Sequence, residues 1–115
     1  MIEKFEDLHI SEPVLKALNE MGFEEPTPIQ KEAIPVAKSG SDLIGQAQSG
    51  TGKTAAFGIP ALDCIDTTLR KIQVLILSPT RELAVQVAEE INKMAHYTSI
   101  DATPIYGGQD IQRQF

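Results

Sequence analysis

Ala47-Gln48-Ser49-Gly50-Thr51-Gly52-Lys53-Thr54 is a glycine-spaced turn ending in Gly-Lys-Thr, set between an apolar run and a helical one. Glycines let the backbone take positive φ and curl, so that successive N–H groups line a concavity for phosphate oxygens at a helix N-terminus. A lysine in the Lys53 slot reaches the β and γ phosphates of a nucleoside triphosphate, and the Thr54 hydroxyl is placed to ligate the accompanying magnesium. The general pattern opens on Gly where this chain has Ala47, so its strict form is not met. The strand-like Asp42-Leu43-Ile44 before the loop and the helical Ala55-Ala56-Phe57 after it still supply the strand, loop and helix order. The plainer reading is a glycine-rich strand-to-helix turn with an incidental lysine. Two glycines, a Lys and a Thr at these offsets argue against it.

Outward from that loop, 115 residues with 42% hydrophobic and 23% charged content are sized for one domain or part of one. No apolar stretch approaches the length of a membrane span, and Met1-Ile2-Glu3-Lys4-Phe5 lacks the basic-then-apolar layout of a signal peptide. A soluble, cytoplasmic protein is expected. The single Cys64 reads as a small core residue on a helix rather than a reactive thiol. A net charge of -6 argues against a broad basic surface for nucleic acid. Main-chain amides, hydroxyls and one or two arginines can nevertheless hold a phosphate backbone locally.

Toward the N-terminus, Ser11 before Glu12-Pro13 suits a helix start, and Val14, Ala17, Leu18 and Met21 follow at helical spacing until Gly22 closes the helix in left-handed geometry. Thr27-Pro28-Ile29-Gln30 satisfies the capping-box pattern: Thr at the cap, Pro first in the helix, Gln three beyond the cap. That explains the stretch structurally. A functional reading stands beside it, because the paired donor and acceptor of the Gln30 amide suit an adenine edge. The helix continues through Ala33, Ile34 and Ala37, tolerates Pro35, and stops at Ser39-Gly40.

Beyond the loop, a helix carrying Phe57, Ile59, Leu62 and Ile65 is expected to bend at Gly58 and Pro60. Val74-Leu75-Ile76-Leu77 suits a strand buried on both faces. From Arg81 a helix places Leu83, Ala84, Val87, Ala88, Ile91 and Met94 on one face, with Glu89, Glu90, Asn92 and Lys93 solvated. Asp101-Ala102-Thr103-Pro104-Ile105-Tyr106 reads as a weaker edge strand before the Gly107-Gly108 turn. The alternation predicts an α/β fold, a parallel sheet with helices on both faces and ligands at the carboxyl ends of its strands.

Four stretches now stand together: Gly22 to Gln30, Ala47 to Thr54, Pro79-Thr80-Arg81-Glu82-Leu83-Ala84, and Gly107-Gly108. With them the chain, from about Phe5 onward, closely resembles the amino-terminal part of a DEAD-box ATP-dependent RNA helicase, whose loop commonly begins with Ala where Ala47 stands. The resemblance implies a partial RecA-like P-loop domain, with 1–40 as a Q-motif helical segment and 41–115 as the first part of the ATP-binding domain. It implies ATP and Mg2+ as cofactors. Thr27 and Gln30 match the adenine-reading positions, Phe5 the aromatic that stacks on the base, and Ala47, Gln48, Ser49, Gly50, Thr51, Gly52, Lys53 and Thr54 the phosphate site. Lys53 and Thr54 match catalytic positions, with Thr54 the metal ligand. Pro79, Thr80, Arg81, Glu82, Gly107 and Gly108 match contacts to an RNA backbone, which carry no base specificity. The plainer reading there is a helix start capped by Thr80 with Arg81 in solvent.

The Asp-Glu-Ala-Asp motif that names the family does not occur in these residues, so Lys53 and Thr54 have no carboxylate pair to complete a magnesium site. The resemblance thus implies an ATP-driven RNA-unwinding parent and a 115-residue piece inactive by itself. The rival is an adenine-nucleotide-binding module without turnover. A P-loop hydrolase that does not act on RNA is disfavoured by Thr27 to Gln30 and Pro79 to Ala84. In such a piece the sheet has unpaired edges, and self-association through them is expected.

Overall fold

The computed structural model describes residues 4–46 and 52–106. A 3-10 turn, Phe5–Leu8, leads into four helices: α1 Glu12–Glu20, α2 Pro28–Lys38, α3 Lys53–Cys64 and α4 Arg81–Met94. Local chemistry sets most of their ends. α1 closes with Phe23 N–H donating to the Leu18 carbonyl at 2.9 Å and Gly22 N–H to that of Asn19 at 3.2 Å. This pair of bonds turns the chain through Gly22 at φ +87°, a geometry open to glycine because it has no Cβ. α4 opens on Thr80, whose hydroxyl accepts the Leu83 N–H at 3.1 Å.

The apolar faces meet in one core holding Phe5, Leu8, Val14, Leu18, Ile34, Ile59, Leu62, Val87, Ile91 and Met94. Segments 1–40 and 41–115 therefore share their interior. α2 lies along α3 in the same direction, since their first turns meet at Gln30 and Gly52 and their last turns at Lys38 and Asp63. α4 crosses α3 at Gly58, where an added Cβ would stand 2.8 Å from Met94 Cε.

The expected sheet is not seen. Among the described residues 41–46, 72–78 and 101–106 run without regular structure, and no backbone hydrogen bond joins one of these runs to another. Nor is the apolar run buried on both sides. Val74 and Ile76 are half-buried, with Ile76 against the core, whereas Leu75 is 80% and Leu77 86% exposed. Helices cover one side of this run, where helices on both faces were expected. The period-2 alternation of an extended chain is present, but a ladder needs a second backbone within about 5 Å to take its N–H and C=O groups.

Side-chain amides supply part of what a ladder would. Asn92, expected in solvent, donates to the Ala102 carbonyl at 2.9 Å and accepts its N–H at 2.7 Å. Gln73 does the same at Asp66, accepting the N–H at 2.9 Å and donating to the carbonyl at 2.8 Å. In that loop the Thr68 hydroxyl and N–H both donate to the Asp66 carboxylate, which holds it below the usual carboxylate range.

Three further expectations change. Cys64 is exposed, its thiol directed to the Ala61 carbonyl at 3.1 Å, on the side of the last turn of α3 away from the buried Leu62. Leu83, in the first turn of α4, stays 38% exposed, ahead of the buried Val87 and Ala88. Ser11 precedes α1 as expected, yet its hydroxyl makes no cap bond and turns to Asp63 instead. No helix among the described residues is long and apolar enough to cross a membrane.

Ile34, fully buried on α2, tests the core directly. Truncation by Ile34→Ala is expected to cost about 2–5 kcal/mol in urea unfolding, through lost burial and a cavity.

Candidate functional site

The site is built where the first turns of α2 and α3 meet. Pro28 and Thr27 start α2 in the expected order, and the N–H of Thr27 donates to Gln30 Oε1 at 2.8 Å. This is the return half of a capping box. The forward half is not closed: Thr27 Oγ1 faces the Gln30 N–H without reaching hydrogen-bond geometry, and is buried with no partner. A buried hydroxyl left unpaired costs on the order of 1–3 kcal/mol, which makes this oxygen an uncompensated polar atom beside Gln30.

Gln30 is only 2% exposed, and its Nε2 donates to the Gly52 carbonyl at 3.1 Å. That carbonyl also accepts the Ala56 N–H at 3.2 Å, the first bond of α3. Gln30 is thereby fastened to the residue on which the phosphate-loop helix begins. Gly52 has φ +84°, and a Cβ built on it would lie 2.3 Å from Gln30 Nε2 and 3.4 Å from Thr27 Oγ1. Both the backbone angle and the space require glycine. The spacing of the loop marks Gly52 as part of a phosphate cradle, but nothing in the sequence marks its contact with Gln30.

Lys53 is the first residue of α3, exposed and without a hydrogen bond or ion pair among the described residues; Thr54 is half-buried beside it. The opening N–H groups of α3 have no intrahelical acceptor, which with Lys53 makes an end suited to an anion. Among the described residues no three His, Cys, Asp or Glu side chains gather as a candidate metal site. Ala47, Gln48, Ser49, Gly50 and Thr51, and likewise Gly107 and Gly108, lie outside the described residues.

Phe5 is placed differently from its expected role. It is 2% exposed, its ring 5.9 Å from that of Phe23 at 41°, so it sits in the core rather than open to a base. Packing explains this: the 3-10 turn buries Phe5 and Leu8 together. Pro79, Thr80, Arg81 and Glu82 form an exposed helix start, with Arg81 Nε 4.0 Å from a Glu82 carboxylate oxygen. No hydrogen bond or ion pair joins them to Gln30, Gly52 or Lys53 among the described residues.

The chain has relatives among known proteins. Residues 27–115 match the DEAD/DEAH box helicase family. Over 110 residues the chain is 54% identical to the DEAD-box ATP-dependent RNA helicase CshA of Bacillus cereus, a match covering 96% of this chain and 21% of that protein. The chain thus spans about a fifth of the length of the curated relatives it matches. Its structure superposes on the RNA-helicase Prp28 of Chaetomium thermophilum bound to ADP with a TM-score of 0.87 and 39% identity, covering 96% of this chain and 28% of that one. For Saccharomyces cerevisiae Dbp5 bound to RNA and ADP BeF3 the TM-score is 0.78 at 30% identity, over 95% of this chain and 30% of that one.

Gly52→Ala reports on the contact at the centre of the site. The added methyl is expected to displace the Gln30 amide and lower stability by about 1–3 kcal/mol in denaturant titration, where Gly40→Ala, also at positive φ but with no atom within 4 Å, carries the backbone strain alone.

Proposed function

This chain belongs to the DEAD/DEAH box helicase family, and we propose that it is the adenine-nucleotide-binding part of an ATP-dependent RNA helicase. RNA-stimulated ATP hydrolysis coupled to duplex unwinding is then the work of the whole protein. The observation that carries the reading is the Gln30 amide, buried against Gly52 beside the unpartnered Thr27 hydroxyl. After its bonds to Thr27 and Gly52, Gln30 retains one N–H and one lone pair. An adenine edge offers the complementary acceptor and amino group, and Thr27 Oγ1 adds a third polar contact.

In this proposal residues 47–53 hold the phosphates through their N–H groups and the Lys53 ammonium, and Thr54 ligates Mg2+. The bound metal ion would draw charge from the phosphate oxygens during transfer. Phe5 joins the base site only by leaving Phe23, so its stacking role requires a rearrangement of the 3-10 turn. Pro79, Thr80, Arg81 and Glu82, with Gly107 and Gly108, hold RNA by its backbone; support comes from the exposed Arg81 and from the RNA-bound relative. The helical layer and the likeness to helicase structures favour completion of the extended runs into a parallel RecA-like sheet.

The 115 residues alone bind nucleotide without turning it over, because no strand ending in paired acidic residues accompanies Thr54. They also self-associate through the exposed Ile72, Leu75 and Leu77.

Calorimetry with ATP and GTP tests the reading. ATP is expected to bind more tightly; Gln30→Ala abolishes that preference, whereas Lys53→Ala weakens both nucleotides by about tenfold to a hundredfold. Equal affinity for ATP and GTP in the unsubstituted chain overturns it, and RNA-stimulated phosphate release by these residues alone overturns the claim of no turnover. In sedimentation, association is expected to rise with concentration and to fall in Leu75→Lys; a monomer at all concentrations removes the self-association claim.

A further inference from the structure

At the end of the α2–α3 pair remote from the nucleotide lies a second polar contact that the proposed function does not use. Asp63, in the last turn of α3, has a side chain only 11% exposed. Its Oδ1 accepts the Ser11 hydroxyl at 2.7 Å, its Oδ2 accepts the Ser11 N–H at 3.3 Å, and the Lys38 ammonium stands 3.5 Å from Oδ2. Lys38, in the last turn of α2, also donates to the carbonyls of Leu8, at 3.4 Å, and of His9. One carboxylate and one ammonium therefore join the ends of α2 and α3 to the start of α1.

The charges are not held there by their own helices alone. A carboxylate at a helix C-terminus meets the negative end of the dipole, so Asp63 depends on Lys38 and on the N–H and hydroxyl of Ser11, the residue before α1, to stay in place. Lys38 sits well at the end of α2, but its long side chain is fixed only because Asp63 and two carbonyls receive it.

The two polar contacts between α2 and α3 do different things because they are at opposite ends. Ile34 and Ala33 bury the middle of α2 in the shared core, and Gln30–Gly52 ties its first turn. Lys38 fixes the remaining freedom, the tilt of its last turn. Eight residues separate positions 30 and 38, about 12 Å of helix, so a slip of ~2 Å at the far end tilts α2 by roughly 10°. A tilt of that size turns the Gln30 amide relative to the Gly52 carbonyl, and hydrogen bonds are sensitive to that angle.

We infer that Ser11, Lys38 and Asp63 form a positioning latch for base selection: they set the angle at which α2 presents Gln30 to Gly52 and to the purine. None of the three touches the nucleotide. The inference rests on the adenine reading of Gln30, and the experiment separates the two.

In the 115-residue chain, Asp63→Ala, Lys38→Met, their double substitution and the conservative Lys38→Arg are compared by two measurements. The first is the side-chain NH2 signal of Gln30 in a 15N-correlated NMR spectrum without nucleotide. The second is calorimetric affinity for ATP and for GTP. Asp63→Ala and Lys38→Met are expected to move the Gln30 signal toward that of a free amide and to lower the ATP-over-GTP preference roughly fivefold, with GTP affinity kept within about twofold. The double substitution adds nothing to either single one, and Lys38→Arg keeps the preference of the unsubstituted chain. An unchanged Gln30 signal, or equal weakening of ATP and GTP, overturns the latch while the adenine reading stands. No preference for ATP in the unsubstituted chain overturns the adenine reading and the base-selection role with it. Should Asp63→Ala fail to fold, Lys38→Met, which leaves Asp63 bonded to Ser11, carries the same comparison.

Discussion

A buried amide must be bonded on both sides, and in this molecule Gln30 is bonded across the boundary between the helical segment and the phosphate loop. Its oxygen takes the N–H that opens α2 and its nitrogen holds the carbonyl that opens α3. Leaving either group unpaired costs on the order of 1–3 kcal/mol, comparable to a sizeable share of a small domain's net stability. The requirement reaches both ways. It fixes where α2 begins relative to α3, and it excludes any side chain at Gly52, since the nearest Gln30 atom is 2.3 Å from where a Cβ would lie.

The same device recurs where the chain is extended. Gln73 and Asn92 each offer a donor and an acceptor to one residue's N–H and C=O, at Asp66 and Ala102. A carboxamide is the side chain with the right complement for this, being an isolated copy of the peptide group. In a sheet the neighbouring strand would do this work for residue after residue. Here it is done at single points, which anchor the ends of the loops and leave Leu75 and Leu77 facing outward.

What the sequence disclosed follows from the range of each interaction. The Gly22 closure, the Thr80 cap and the start of α2 depend on residues within a few positions, and each was legible. Their long-range counterparts were not. Ser11 carries the signature of a cap, yet Asp63, 52 residues away, outcompetes the local N–H for its hydroxyl. Asn92 falls on the polar side of α4 by periodicity, but a loop ten residues on folds back over it. Phe5 and Cys64 exchanged their expected settings, the aromatic entering the core and the thiol leaving it, because burial depends on where a turn is placed. The run Val74 to Leu77 has the composition of a two-sided core strand, and composition alone does not say how many layers surround it. In the candidate site the residue types were legible and the bond between Gln30 and Gly52 was not.

The overall charge of -6 opposes an anionic ligand at long range, and the arrangement of helix ends supplies a local exception. α1 and α4 each carry an acidic residue in the first turn, Glu12 and Glu82, which occupies the positive end of the dipole. α2 and α3 carry none. These are the two helices that run in the same direction and meet at their first turns, so two uncompensated positive ends converge beside Lys53. Parallel neighbours are electrostatically unfavourable unless their like ends are neutralised. At the far end Lys38 lies in the last turn of α2 and offsets both that terminus and the Asp63 carboxylate; at the near end the first turns of α2 and α3 hold no carboxylate. The favourable position for an anion is thus set by helix direction and by the absence of carboxylates from two particular turns, a local property that the net charge does not report.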